Sequence, residues 1–311
     1  MWGELIKPMD PVLYKEIAPF PGYHFQVKWD GVRMLTFIKD GQVRLQNKKL
    51  NERTQQYPEL GQLPMNVKAR QVILDGEIVV LDDQGRPSFP RVIKRDFATQ
   101  PGTIQRLMTT LPVVYAIFDV LWVDGESMVE KPWMERHHML SQLVEATPQF
   151  HLTEAFEDGE GLFAAIQAQG MEGIVAKDLT SPYIFGKKSD YWRKVKNFRQ
   201  AQFLVGGVTL KQGRVSALLL GAYDQNHLIY VGSVGAGLGG QHVHLLQDNL
   251  SHLQVEQSAF ANPPRLPKDS RVWLEPTLGV RVEYLEWTEE FKLRAPVIKE
   301  FIAVNPEECR I

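Results

Sequence analysis

Lys28 stands in the run Phe25-Gln26-Val27-Lys28-Trp29-Asp30-Gly31-Val32-Arg33. A lysine amine is a nucleophile only when uncharged, and an ordinary lysine is neutral in about one molecule in 2,500 at pH 7. By itself Lys28 reads as a surface lysine beside an Asp-Gly hairpin turn. Residues further along give it chemical company. In Leu74-Asp75-Gly76-Glu77-Ile78, strand alternation puts Asp75 and Glu77 on one face and Leu74, Gly76 and Ile78 on the other. Two carboxylates aimed the same way suit a divalent cation or a ribose, and equally a solvated strand face. Phe118 shares a strand face with Ala116 and Val120, which alone makes it a core residue. Glu172 opens another apolar strand and opposes Gly173 and Val175. Lys194 and Lys196 point together while Val195 turns toward the core. Such a lysine pair concentrates positive charge as a phosphate site needs.

The elements that must position these groups divide the chain in two. Short β-like runs bounded by turn residues dominate the first 200 residues, with turns at Asp30-Gly31 and Asp40-Gly41 and Val/Ile-rich strands around 71–83 and 112–125. Helical periodicity appears over 131–146 and 159–169. Beyond Asn197 come alternating strands with Gly-containing turns, one helix-like stretch at 242–253, a Pro-rich loop at 261–269 and further strands, the pattern of a small β-barrel with one helix. The expected organisation is a domain at 1–199 and a second at 200–311.

Composition bounds what such a chain can be. It has 311 residues, 44% hydrophobic and 23% charged, too apolar for disorder and long enough for two cores. One cysteine, Cys309, cannot form an internal disulfide. The N-terminus lacks the apolar core of a signal peptide, and the longest apolar stretch, at 111–123, is broken by Asp119 and falls short of the ~20 residues a bilayer requires. A soluble, intracellular protein is expected. With 35 Lys+Arg against 37 Asp+Glu, it lacks the basic excess of a strong non-specific nucleic-acid binder. Positive charge is local: 187–199 holds six basic residues and one acidic.

Lys28-Trp29-Asp30-Gly31-Val32-Arg33 resembles the K-x-D-G-x-R nucleophile motif of covalent nucleotidyltransferases, the ATP-dependent DNA ligases and mRNA capping enzymes. Four further motifs follow in that family's order: Asp75-Gly76-Glu77, Phe118-Asp119, Glu172-Gly173-Ile174-Val175-Ala176-Lys177 and Trp192-Arg193-Lys194-Val195-Lys196. Each is weak alone; five in order over about 170 residues are specific. The second half resembles the family's OB domain, closest to the ligase module of bacterial non-homologous end-joining ligases, so the likeness spans nearly the whole chain.

The resemblance implies an α+β fold: an adenylyltransferase domain with antiparallel sheets, then an OB-fold β-barrel. Lys28 would attack the α-phosphate of ATP and hold AMP as a phosphoramidate, with Lys194 and Lys196, or a metal, favouring its uncharged amine. The two lysines would also hold the phosphates. Glu77 and Glu172 would serve metal (Mg2+ or Mn2+) and ribose, Phe118 would stack on adenine, Arg33 would contact the sugar, and Gln26 would contact adenine. AMP would pass to a DNA 5′-phosphate at a nick or break, to be displaced by the 3′-hydroxyl. The setting implied is a monomer in the bacterial cytosol that binds nicked or broken double-stranded DNA, possesses no membrane attachment and is recruited by the end-binding protein Ku. With only 27 residues before Lys28, no large N-terminal DNA-clamping domain is expected. Competing readings are an RNA ligase or capping-type guanylyltransferase, and a non-catalytic adenylate- or DNA-binding scaffold.

Two departures from the family pattern stand out. Its C-terminal R-x-D-K falls on Ile302-Ala303-Val304-Asn305, none of them cationic; Lys292, Arg294 and Lys299 lie close in sequence and are candidates to substitute, and a slow first step is expected. Its early S-R-N-G reads Asn47-Lys48-Lys49-Leu50, which keeps a cation but loses the arginine fork. Gly235–Gly240 imitates a dinucleotide loop without the G-x-G-x-x-G spacing. His137-His138 and His242-x-His244 imitate metal sites without a completing ligand cluster, and are read as ordinary helix-surface histidines.

Overall fold

In the computed structural model, residues 4–17, 20–288, 290–303 and 309–310 are described. The chain forms two compact units, Met1–Asn197 and Phe198–Ile311. Among the described residues no helix is long and apolar enough to cross a membrane.

The first unit is built on two sheets. The smaller joins β1 (Asp10–Tyr14), β2 (Tyr23–Val27), β9 (Gly173–Asp178) and β10 (Lys188–Lys196) in the order β1-β10-β9-β2. The larger has β3 (Val32–Lys39), β4 (Gln42–Asn47), β5 (Gln71–Val80), β6 (Val113–Val123) and β7 (Glu126–Ser127) in the order β4-β3-β5-β6-β7, with β8 (Phe150–Leu152) beside β6. Pairing is mostly antiparallel, as expected, but β1 with β10 and β6 with β8 run parallel. Helices α1 (Phe89–Asp96), α2 (Pro101–Thr110), α3 (Trp133–Leu143) and α4 (Gly159–Ala168) complete the unit; α3 and α4 fall within the periodic stretches at 131–146 and 159–169.

Three apolar layers follow from strand alternation. Leu74, Ile78, Val80, Tyr115 and Ile117 pack with Leu60, Leu63, Val92 and Leu140 on one side of the large sheet. Leu35, Phe37, Ile73 and Leu121 pack with Met9, Tyr183 and Trp192, joining the two sheets. Phe25, Ile174, Ala176 and Val195 meet Ile166 of α4 beyond the small sheet. The middle layer is the one into which the chemical residues open.

The Asp30-Gly31 step is not the hairpin turn that its dipeptide suggests. β2 and β3 belong to different sheets, so the step carries the chain from one sheet to the other. Gly31 makes that crossing against β5: a Cβ there would lie 2.1 Å from the Ile78 carbonyl oxygen. Backbone, not a flexible side chain, blocks it.

In the second unit β11 (Arg199–Lys211), β12 (Arg214–Asp224) and β13 (His227–Val234) form an antiparallel meander. After α5 (Gly240–Leu253) come β14 (Gln254–Val255), β15 (Arg271–Leu274), β16 (Leu278–Tyr284) and β17 (Val297–Ala303). The long β11 branches the sheet, pairing with β16 at its start and β15 at its end. Val205, Leu218, Leu220, Val231 and Val280 pack with Leu246 and Leu250 of α5.

Gly31→Ala is expected to destabilise the protein by about 1–3 kcal/mol, the usual cost of forcing atoms into a filled site. Urea unfolding followed by circular dichroism measures it, and an unchanged midpoint would refute the close-approach reading.

Candidate active site

Lys28 follows the last residue of β2, and its backbone N–H donates to Gly173 O at 2.9 Å. That bond ties the nucleophile candidate to the start of β9. Its Nζ lies 2.5 Å from Glu172 Oε2, while Lys196 Nζ lies 3.1 Å from Glu172 Oε1. Burial would raise the Glu172 pKa, but the Lys28 and Lys196 ammonium groups outweigh it and hold the carboxyl below the ordinary range. Lys194 stands two residues from Lys196 and its amine is pushed down to about 8, first by burial and then by Lys28, Lys196 and Lys48, with Asp10 opposing. Three of the predicted residues therefore form one charge cluster on a single carboxylate, and Lys194 adds its strain to it.

Gly173 makes the cluster possible. Val175 and Lys177 of β9 face the interior between the sheets, whereas Ile174 and Ala176 face α4. Plain alternation would set Glu172 with the second group, opposing Gly173 and Val175 as the sequence suggests. Gly173 instead takes φ +148°, and a Cβ there would sit 2.1 Å from Val195 O. This conformation is glycine territory. It breaks the alternation and lets the Glu172 carboxylate reach lysines on the interior side.

Two cavities share Lys28, Arg33 and Glu77. The smaller, about 70 Å³, is bounded by Gln26, Trp29, Phe118, Val175, Lys177 and Trp192. The larger, about 510 Å³, is bounded by Lys48, Lys49, Arg53 and Lys194, and by Phe89, Ile93 and Phe97. All eight predicted residues but Glu172 and Lys196 line one cavity or the other; those two reach the site through the pairing with Lys28.

The carboxylate pair behaves differently from the alternation argument. Asp75 is fully buried and committed: Arg33 Nε and a terminal guanidinium nitrogen each donate to it at 2.6 Å, and the Tyr183 hydroxyl donates at 2.5 Å. It is unavailable to a cation or ribose. Glu77, half-buried opposite Arg33 on β3, has no hydrogen bond among the described residues. Burial pushes its carboxyl up to about 8, Glu172 and Asp30 adding to the rise while Lys28 and Arg33 oppose it.

Phe118 also departs from simple alternation. The β5–β6 register advances by two residues on β6 between Asp75 and Gly76, so Phe118 is the extra residue of a β-bulge. It consequently leaves the face of Val120, which packs in the outer core, and joins Trp192 edge-on at 6.1 Å in the middle layer. The Arg33 guanidinium carbon lies 4.7 Å from the Phe118 ring centroid.

Gln26 is almost fully buried, and its Nε2 donates to Thr153 O at 2.8 Å. A carbonyl can only accept, which fixes the amide's sense; Gln26 Oε1 is left buried with no partner. Thr153 Oγ1 also accepts from Trp29 Nε1 at 2.9 Å. Nothing in sequence marks Thr153 as a partner, because it lies over 120 residues away, just after β8. Lys177, visible in sequence only as the end of a motif, is 2% exposed and ringed by aromatic side chains.

The remaining candidates resolve plainly. Lys48 pairs with Asp10 at 2.6 Å and, with Lys49, borders the larger cavity. Lys292 donates to Tyr230 O, Arg294 pairs with Glu286 at 2.7 Å and Lys299 with Glu283 at 2.7 Å, so each proposed substitute for R-x-D-K has a partner. Of the aligned positions, Ile302 and Ala303 lie in β17; Val304 and Asn305 lie outside the described residues. His137 is half-buried and stacks on Trp133, and burial pushes it down to about 4, whereas His138 is exposed as expected. His242 packs against Phe301. Among the described residues no three His, Cys, Asp or Glu side chains are grouped to hold a metal.

A lysine that lines two cavities, paired with a carboxylate and backed by two further lysines, has the form of a covalent nucleotidyltransferase site. The chain matches the family model described as the ATP dependent DNA ligase domain over residues 8–196, and that of the ATP dependent DNA ligase C terminal region over 211–302. It belongs to the ATP-dependent DNA ligase family. A multifunctional non-homologous end joining protein LigD of Mycobacterium bovis is 32% identical over 275 residues, covering 87% of this chain and 35% of that protein. The LigD of Pseudomonas aeruginosa is 30% identical, covering 91% and 34%. This chain thus spans about a third of the length of these relatives. Among solved structures, mycobacterial DNA ligase D complexed with ATP and MES is 29% identical with a TM-score of 0.56, covering 98% of this chain and 97% of that one. A Lig E DNA ligase, 18% identical at TM-score 0.63 over 94% and 98%, shares the fold, a nucleotidyltransferase unit followed by an OB-fold unit.

The depressed Lys194 amine carries a signed consequence. Between pH 8 and 10.5 the unfolded chain holds this proton more tightly than the folded one, so its penalty is full below pH 8 and fades as pH rises toward 10.5. Lys194→Met is expected to stabilise the ligand-free protein by about 1 kcal/mol at pH 7 after allowance for solvent screening. The gain shrinks by pH 10. Denaturant titrations at both pH values check this; equal or inverted effects would contradict it.

Proposed function

We propose that this chain seals nicks in double-stranded DNA through a lysyl-adenylate. The observation that carries the reading is that Lys28, which lines both cavities, is paired with Glu172, which Lys196 also holds, while Lys194 lines the larger cavity. In the first step the Lys28 amine attacks the α-phosphorus of ATP; a P–N bond forms, the bond to the bridging oxygen breaks, and pyrophosphate leaves with the electron pair. The Lys28 proton must depart, and Glu172 is the base within reach. Lys194 and Lys196 offset the charge that develops on the phosphate oxygens. The cost of holding the Lys194 ammonium beside the other lysines is recovered when a polyanion arrives. The adenylate then passes to a DNA 5′-phosphate, and attack by the 3′-hydroxyl expels AMP.

The base would enter the smaller cavity. Gln26 Oε1, left without a partner because Nε2 is committed to Thr153 O, accepts from a 6-amino group and repels a 6-oxo group, which favours adenine over guanine. Phe118 supplies a stacking surface, and Arg33, held by Asp75, borders the sugar. Of the two carboxylates read as metal ligands, Glu77 fits better. It has no hydrogen-bond partner among the described residues and lines both cavities, whereas both Glu172 oxygens are occupied by ammonium groups. A magnesium or manganese ion bound there supplies charge neutralisation to the phosphates. Glu77, which lines both cavities, is also the better candidate of the two for a ribose contact.

The basic wall of the larger cavity, Lys48, Lys49 and Arg53, suits a DNA backbone. With no net positive charge over the chain, affinity for DNA is expected to be modest and salt-sensitive, consistent with recruitment by a Ku-like protein at breaks in a bacterial cytosol. The partners already held by Lys292, Arg294 and Lys299 support a slow first step.

A nicked duplex incubated with protein and ATP tests the reading. Sealing is expected with ATP and to be at least tenfold weaker with GTP, and Lys28→Met should lower it by more than about a thousandfold. Sealing of nicked RNA in preference to DNA would favour the RNA-ligase reading. Undiminished sealing by Lys28→Met would refute the mechanism.

A further inference from the structure

The first unit buries a lysine that the chemistry above does not use. Lys177 lies on β9, opposite Trp192 of β10 and His24 of β2 in the sheet register. Its Nζ is 4.0 Å from the Trp192 ring, 4.5 Å from the Phe118 ring and 5.4 Å from the Trp133 ring. Among the described residues it forms no ion pair, and its one hydrogen bond runs to Phe118 O at 3.2 Å. Burying an ammonium without a carboxylate partner is costly, and burial pushes this amine down to about 7, with Asp119 and Asp75 opposing and Arg33 and Arg136 adding to the fall. A mere core position would be filled more stably by an apolar side chain.

The hydrogen bond explains the expense. Phe118 is the extra residue of the β6 bulge, and the extra residue of a bulge is left out of the ladder pairing. The Phe118 carbonyl takes its hydrogen bond from Lys177 instead. Through that carbonyl Lys177 fixes the bulge, and the bulge fixes where the Phe118 ring stands at the wall of the smaller cavity, whose lining includes both residues.

We propose that Lys177 is a positioning residue for adenine: its amine clamps the bulged backbone of β6 from the neighbouring sheet and so holds the Phe118 ring in place for the base. This rests on the adenylate reading of the site. It predicts a defect confined to nucleotide binding, because among the described residues Lys177 pairs with none of Lys28, Lys194, Lys196 and Glu172, and its hydrogen bond goes to the Phe118 carbonyl.

Lysyl-adenylate formation from ATP, followed by mass in single turnover, separates the possibilities. No adduct on the native protein removes the adenylate reading itself. Given an adduct, Lys177→Met, which keeps the apolar stem and loses the donor, should raise the ATP concentration for half-maximal rate at least tenfold, with the saturating rate within threefold of native. Lys177→Gln, which can still donate, should recover part of that loss. An unchanged half-maximal concentration, or a lower saturating rate with binding intact, overturns the clamp. Should Lys177→Met fail to fold, the native protein labelled with ¹⁵N-lysine decides. The slowly exchanging, ring-shifted Lys177 amine should move on adding AMP and stay still on adding ribose 5-phosphate; no movement with AMP, or equal movement with both, overturns it.

Discussion

One carboxylate held between two ammonium groups is the constraint around which the first unit is arranged. Glu172 is nearly buried, and a buried carboxylate is tolerated only with cations at hand. Lys28 and Lys196 provide them, but Lys194 brings a further positive charge with no comparable partner among the described residues. The cluster is thus satisfied at Glu172 and in excess of positive charge beyond it. A site so poised has its electrostatic work done before a polyanion arrives, which is the condition for stabilising charge during reaction without reorganisation.

Holding that cluster requires strands from distant parts of the chain. β2 delivers Lys28, β10 delivers Lys194 and Lys196, and β9 lies between them, which brings residues 28, 172 and 196 together in one sheet. The opposite wall is secured by buried ion pairs: Asp75 by Arg33 and Tyr183, and Asp119, next to Phe118, by both forks of Arg136 at 2.8 and 3.0 Å. Such pairs contribute little net stability over apolar replacements, yet losing one partner strands a buried charge and is strongly destabilising. Their geometry holds the backbone of β5 and β6 where Glu77 and Phe118 project.

Much of this was legible in the sequence because strand alternation is a local rule. It correctly placed Asp75 and Glu77 on one face, Leu74 and Ile78 on the other, and Lys194 with Lys196 opposite Val195. It failed where one residue breaks the period. Gly173 turns Glu172 to the interior, and the bulge at Phe118 removes it from the face of Val120. Long-range partners were also illegible: no local pattern says that Asp75 will be consumed by Tyr183, 108 positions away, or that Thr153 will orient Gln26. Helices α1 and α2 went unread, being short segments of eight and ten residues, one with β-branched Val92-Ile93 and each with a proline in its first turn. The family resemblance supplied roles for residues, whereas the structure supplies the reasons those residues can meet.

The central claim is that the charge cluster makes one amine, and no other, the acceptor of the adenylate. Incubating the protein with ATP, digesting it and mapping the modified peptide by tandem mass spectrometry tests this most directly. The account predicts a single adenylate, acid-labile as a phosphoramidate, on Lys28. An adenylate on Lys177, Lys194 or Lys196 in its place, or none at all under conditions where DNA is sealed, would contradict it.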